Sequence, residues 1–338
     1  FSGKTLLEAP IKSFDDNKNI DFEFCLCWAN DDWSRTWTGN ANDILISQEY
    51  SPQDDFAFIS HISRYLRSDK YLRVGGKPLI RIWRSALLPD PQATVRRWRE
   101  WCRQNGIGEI HVSRSEAYER VDPGEHGCDS SFQNPPADTR WIEPNIGRHP
   151  EEPILLNPDF EGQIFDYRDL VRRAREFVSP GYPLFRSVCP SWDNQARRPG
   201  SGRLLLGAEP SIYRAFLETT IEQAAKAEPI ADERLVFINA WNEWGEGAHL
   251  EPDRRYGFGN LEATKMASLR VALRRNRLPE PERLAIVAHA YYTDLLADCV
   301  GWTEDLAVPH DLFVTTPADG RPIVEAFLAA RRIPATVL

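Results

Sequence analysis

The densest group of chemically capable side chains is Asn239-Ala240-Trp241-Asn242-Glu243-Trp244-Gly245-Glu246-Gly247-Ala248-His249-Leu250-Glu251-Pro252. An apolar run, Leu235 to Trp241, leads straight into Glu243 and Glu246, three positions apart and bracketed by Trp, Asn and Gly. Three residues of extended chain span at most ~10 Å, and a turn brings them closer. Carboxyls ~5 to 9.5 Å apart cleave glycosidic bonds, one as proton donor and the other as nucleophile or base. A carboxyl beside Trp241 or Trp244 would be desolvated and its pKa raised, which suits a general acid. A plainer reading has Glu246 cap the next helix and Glu243 pair with an arginine, and the sequence leaves both open.

Two further clusters have the composition of sugar subsites. Trp28, Asn30, Asp32, Trp33 and Trp37 follow the apolar run Phe22 to Trp28. Sugar C–H faces pack on Trp while Asp and Asn bind hydroxyls; the alternative is an Asp-capped loop with Trp in the core. Trp192, Asp193 and Asn194 follow the run Leu184 to Val188 in the same manner, with Arg197 and Arg198 close behind. The arginine pair suits a phosphate or a carboxylated sugar, or equally a solvated face. Cys25 and Cys27 share one strand face and read as small core residues.

Short apolar runs alternating with longer helical stretches form the pattern that positions these clusters. Strands are expected in six runs, Phe22 to Trp28, Pro78 to Trp83, Glu109 to Ser113, Cys128 to Phe132, Leu184 to Val188 and Leu235 to Trp241. Helices are expected at Asp54 to Ser68, Thr94 to Asn105, Tyr167 to Val178 and Pro210 to Ala227. Near-continuous apolar strands imply a parallel sheet covered by helices. Polar and aromatic clusters at three strand ends favour a (β/α)8 TIM-type barrel, whose chemistry sits there. Six strands are short of eight, so the expected barrel (residues 1–277) lacks its first two, and the chain reads as a piece of something longer. From residue 278 a second α/β domain is expected, with Leu278-Pro279-Glu280-Pro281-Glu282 as linker. Its first strand would be Leu284 to Ala288, its second Asp311 to Thr316, with a helix from about Thr293 to Leu306 between them.

Composition narrows the function classes. With 41 Lys plus Arg against 50 Asp plus Glu the net charge is −9, which argues against nucleic acid. No apolar run reaches the roughly 20 residues of a membrane span. Six scattered cysteines without a C-x-x-C pair suit a reducing, cytoplasmic compartment, any membrane association coming through the parent protein. The seven histidines show no ligand spacing and no Gly-rich phosphate turn is present, so neither metal nor cofactor is expected. His249 either orients one carboxylate or is structural.

Four motifs in order carry a family resemblance: Cys27-Trp28-Ala29-Asn30 with Trp33 and Trp37, Gly76-Lys77-Pro78-Leu79-Ile80, Cys189-Pro190-Ser191-Trp192-Asp193-Asn194, and Asn239 to Gly247 with Leu250-Glu251-Pro252. Over roughly residues 1 to 276 the chain resembles the WbsX-like family, which belongs with the family-99-like glycoside hydrolases. The resemblance implies a (β/α)8 barrel from bacterial surface-polysaccharide or O-antigen metabolism. It further implies that Glu243 acts as base on a sugar 2-hydroxyl, giving an epoxide-like intermediate, and that Glu246 is the acid/base. Gly245 stands where those hydrolases often carry a bulkier residue. The C-terminal segment, with Ile286-Val287-Ala288-His289, resembles the opening of a rhamnan-synthesis-type domain.

Three functions compete. One is a retaining, α-mannosidase-like hydrolase or transglycosylase acting on an oligosaccharide or polysaccharide. The others are a glycosyltransferase of lipopolysaccharide synthesis using a sugar nucleotide, and a glycan-binding module without turnover. The expected glycan contacts are Trp28, Asn30, Asp32, Trp33, Trp192, Asp193, Asn194, Trp241, Asn242 and Trp244.

Overall fold

The structure, a computed structural model, describes residues 5, 7–35, 43–136, 155, 157–227, 234–275, 284–300, 303 and 309–338. Trp37 and the expected linker at 278–282 lie outside them. The chain divides into two compact units, 1–271 and 272–338.

In the first unit each of the six apolar runs contributes a strand. These are β1 (Leu26–Trp28), β2 (Lys77–Ile82), β3 (His111–Ser115), β4 (Ser130–Phe132), β5 (Leu184–Val188) and β6 (Val236–Ile238). Every neighbouring pair along this path is parallel, and spatial order equals sequence order. A doubly wound sheet would reverse its order at a switch point. Right-handed crossovers that always step the same way put every helix on one face, as in a barrel wall.

Arg81 shows the curl. Its guanidinium lies 3.7 Å from the ring centre of Phe132 on β4 and 4.0 Å from that of Phe237 on β6. Strands β2 and β6 are four steps apart, roughly 19 Å in a flat sheet. Contact between their side chains therefore requires the sheet to bend toward closure. The fold is mixed α/β, a partial TIM-type barrel, and among the described residues no pairing closes β6 onto β1.

Alternation along the strands separates two layers. On β2, Ile80 and Ile82 face outward with Val112, into a core shared with Ile59, Leu66 and Trp98 of the helices Pro52–Leu66 and Pro91–Gln104. Leu79 faces inward with Phe132, Phe185 and Phe237. On the far side Val188, Val236 and Ile238 pack against Leu170, Tyr213, Phe216 and Ala263 of three further helices, Tyr167–Arg175, Pro210–Ala227 and Gly259–Arg275.

Helix ends follow their caps. The second helix begins at Pro91 rather than Thr94, because the Asp90 carboxylate accepts the Ala93 N–H and Pro suits the first helical position. The expected helix from Tyr167 stops at Arg175, short of Val178, while Pro210–Ala227 matches the expectation. The expected strand from Phe22 is confined to Leu26–Trp28, with Phe24 making an isolated bridge to Tyr71. Four pairings among the described residues were not expected: Trp33–Ser34 with Ile44–Ile46, Arg73–Val74 with the start of β2, Gln163–Asp166 with Arg203–Leu206, and Asn242–Glu243 with Ala248–His249.

The second unit has a parallel sheet of Leu284–His289, His310–Thr315 and Ala335–Val337, with Val314, Val324 and Leu328 in its core. Of the helix expected from Thr293, the described residues show a 3-10 turn, Thr293–Leu295, and a short helix, Leu296–Val300. Helix Arg321–Arg331 and the third strand were not foreseen. No described helix is long and apolar enough to cross a membrane.

Candidate active site

The chain leaves the C-terminal end of β6 and forms a tight hairpin. Asn242–Glu243 pairs antiparallel with Ala248–His249, and Trp244–Glu246 makes the 3-10 turn between them. Gly247 closes the turn at φ 61°, a left-handed conformation that suits glycine. A Cβ there would also lie 2.8 Å from the backbone nitrogen of Asp193. The loop after β5 docks onto this hairpin: the Asp193 N–H donates to the Glu246 carbonyl at 2.8 Å, and the Ser191 hydroxyl donates to the Gly247 carbonyl. Two of the expected clusters, from β5 and β6, thus form one rim site.

Glu243 and Glu246 are both partly exposed on the turn and share Arg197. Nη2 of Arg197 donates to Glu243 Oε1 at 2.6 Å, while its Nε lies 3.6 Å from Glu246 Oε1, an ion-pair separation. The Glu243 pairing with an arginine is therefore present, and it brings the second carboxylate with it. Glu246 sits in a 3-10 turn closed by Gly247 and caps no helix. Burial pushes the Glu246 carboxyl above its ordinary pKa, the charge of Glu243 adds to this, and Arg197 and Arg198 oppose it. A carboxyl that keeps its proton beside a second carboxylate has the chemistry of a proton donor.

Trp244 stands half-exposed on the turn, with its ring stacked 3.7 Å from His249 and its indole N–H donating to Glu251 at 2.6 Å. His249 Nε2 is 3.2 Å from Asp253 Oδ2, so the carboxylate favours the tautomer with its proton on Nε2. Burial tends to raise Asp253, yet the N–H groups of Tyr256 and Arg255 and the His249 bond more than offset it and hold its pKa low. Trp192, Asp193, Trp244, His249 and Asp253 border a cavity of about 460 Å³ on this side of the rim. Trp241 is exposed to a similar degree as Trp244, and Asn242 is exposed beside it. Asn194 works within its own loop, its side-chain oxygen accepting the Arg203 N–H at 2.6 Å and its carbonyl the N–H groups of Arg197 and Arg198.

The β1 cluster lies at the opposite edge of the sheet. Trp28 turns toward the helices, stacking on Phe58 at 4.6 Å and meeting Trp98 at 5.6 Å. Asn30 is fully buried and spends its amide on Arg84, donating to the carbonyl at 2.9 Å and accepting the N–H at 2.8 Å. The Tyr50 hydroxyl donates to the Asn30 carbonyl. Asp32 accepts the Gln48 N–H at 2.7 Å, and Trp33 begins the small hairpin. Trp28 and Asn30 therefore spend these contacts within a packed and clamped loop base. Among the described residues no group of three or more His, Cys, Asp or Glu side chains is arranged to hold a metal ion.

Sequence comparison agrees with the motifs. The family model for glycosyltransferase WbsX matches residues 1–264. The uncharacterized protein WxcX of Xanthomonas campestris pv. campestris, strain B100, is 43% identical over 316 residues, covering 94% of this chain and 44% of that protein. Its counterpart in strain ATCC 33913 is also 43% identical over the same extent. Among solved structures, the GH99 endo-alpha-mannosidase of Bacteroides thetaiotaomicron is similar at 16% identity and a TM-score of 0.38, covering 68% of this chain and 64% of that one. A glycoside hydrolase-like protein gives 13% identity and a TM-score of 0.44, covering 63% and 60%. The class that the matching model describes is that of carbohydrate-active enzymes. The chain belongs to the WbsX glycosyltransferase family and spans less than half the length of its curated relatives.

Proposed function

We propose that the rim site breaks and remakes glycosidic bonds of a bacterial surface polysaccharide by retaining chemistry, with Glu243 as base and Glu246 as acid/base. The observation that carries this reading is the carboxylate pair on one turn at the end of β6, with Glu246 inclined to hold its proton. Glu243 takes the proton of the sugar 2-hydroxyl, whose oxygen attacks the anomeric carbon. The glycosidic C–O bond breaks as Glu246 gives its proton to the leaving oxygen. Water or an acceptor hydroxyl then loses its proton to Glu246 and attacks the anomeric carbon, whose bond to the 2-oxygen breaks as that oxygen recovers its proton from Glu243. Two displacements retain the anomeric configuration. Trp192, Trp241 and Trp244 supply ring faces for sugars around the turn, and Asn242 supplies an amide for a hydroxyl.

A second reading, transfer from a sugar nucleotide, is favoured by the family description and gives the carboxylates a different task. The test is incubation of the parent protein with defined α-linked oligosaccharides, with and without sugar nucleotides, following products by mass spectrometry beside Glu243→Gln. Products without nucleotide that vanish in the variant support the proposal. Products only with nucleotide move the site to transfer, and oligosaccharide binding without any product makes it a glycan-binding module.

A further inference from the structure

Arg197 reaches the carboxylates because of a residue that is missing a side chain. A Cβ on Gly245 would lie 3.1 Å from Arg197 Nε and 3.3 Å from both Cζ and Nη2. The guanidinium occupies that space, over the backbone between Glu243 and Glu246. Its own chain is fixed at the base, since the Arg197 N–H donates to the Asn194 carbonyl at 3.1 Å and Asn194 in turn holds Arg203. The facing loop is tied to the turn through Asp193 and Ser191. Arg197, with 33% of its side chain exposed, is therefore held against the turn at both its base and its guanidinium.

The sharing is unequal. Arg197 makes a short charge-assisted hydrogen bond to Glu243 at 2.6 Å and reaches Glu246 only at 3.6 Å, beyond a good hydrogen bond. Attraction falls with distance, so the cation favours the anion at Glu243 over the anion at Glu246. We propose that Arg197 is the positioning residue that assigns the two roles, making Glu243 the charged partner and leaving Glu246 the proton carrier, with Gly245 as the gap that admits it. The inference rests on the reading of Glu243 and Glu246 as base and acid. The other charged groups acting on Glu246 are Glu243 on the turn and Arg198 on the facing loop.

The test needs no substrate. Glu243 and Glu246 are titrated by carbon NMR in the full chain labelled at the glutamate carboxyl carbon, their signals assigned with Glu243→Gln and Glu246→Gln. Arg197→Met removes the cation that bonds Glu243 and only approaches Glu246, so the gap between the two midpoints is expected to narrow by about one pH unit. Gly245→Ala, which pushes the guanidinium aside without removing it, is expected to narrow it less, and Arg197→Lys to restore most of the wild-type gap. A gap that stays put or widens in Arg197→Met overturns the proposal. If that variant does not fold, an unchanged gap in Gly245→Ala overturns it instead. Where an α-linked oligosaccharide is turned over, the acid and alkaline limbs of the rate profile must draw together with the midpoints, and a profile of unchanged width also overturns the role assignment. A wild type without any turnover sinks the proposed function and leaves the titration readable.

Discussion

Asp193 donates its backbone N–H to the carbonyl oxygen of Glu246 across 2.8 Å, joining the loop after β5 to the turn after β6. The approach is possible because Gly247 has no Cβ and adopts φ 61°. Gly247→Ala meets both a left-handed backbone and a 2.8 Å contact, and a residue held so costs on the order of 1–3 kcal/mol. The variant should melt several degrees lower and lose activity beyond what its folded fraction explains. Thermal denaturation beside activity at low temperature checks this; a wild-type melting point would show that the two loops are not in close register.

Glu246 links activity to stability through its charge. Burial and Glu243 hold its folded pKa above the ordinary value. The folded chain therefore keeps this proton to higher pH than the unfolded chain does. That contribution to stability is complete below the ordinary carboxyl range and is lost as pH rises through the raised folded value. Gln at 246 cannot ionise, so Glu246→Gln should melt a few degrees above wild type at neutral pH and gain little at pH near 4. Melting curves at the two pH values check it, and a gain that is equal at both would contradict the sign.

Two tryptophans should separate fold from ligand. Trp28 stacks on Phe58 and meets Trp98 at a tilt in the outer core, so Trp28→Ala should cost about 2–4 kcal/mol of stability. Trp244 is half-exposed on the turn, and Trp244→Ala should instead weaken oligosaccharide binding while melting near wild type. Calorimetric binding and thermal melting on both variants test the contrast, which fails if Trp28→Ala loses affinity while keeping its melting point.

Strands β2, β5 and β6 were legible because short β-branched or aromatic runs recur between longer helical stretches. Helix Pro210–Ala227 was legible to the residue, whereas the start at Pro91 needed the Asp90 cap to be noticed. Two-residue strands such as Asn242–Glu243 carry no period and could not be read. Trp28 shares its strand face with Leu26, which packs on the helices, so the parity of the strand carries the direction of its ring. The Arg197 contact spans 46 positions, and its local trace in the sequence is the glycine at 245, where the related hydrolases often carry a bulkier residue. Asn30 resembled a sugar ligand because an amide that clamps two loops and one that binds hydroxyls have the same sequence signal.

The division of labour between Glu243 and Glu246 is exposed by changing the leaving group. Turnover by wild type, Glu243→Gln and Glu246→Gln is measured on an α-linked oligosaccharide and on the matching aryl glycoside, whose phenolate departs without a proton. Loss of positioned proton transfer costs about 10² to 10⁴-fold. Glu246→Gln should lose that much on the oligosaccharide and far less in cleaving the aryl bond, while Glu243→Gln should lose it on both. Folded variants that each stay within about tenfold of wild type on both substrates would contradict the account.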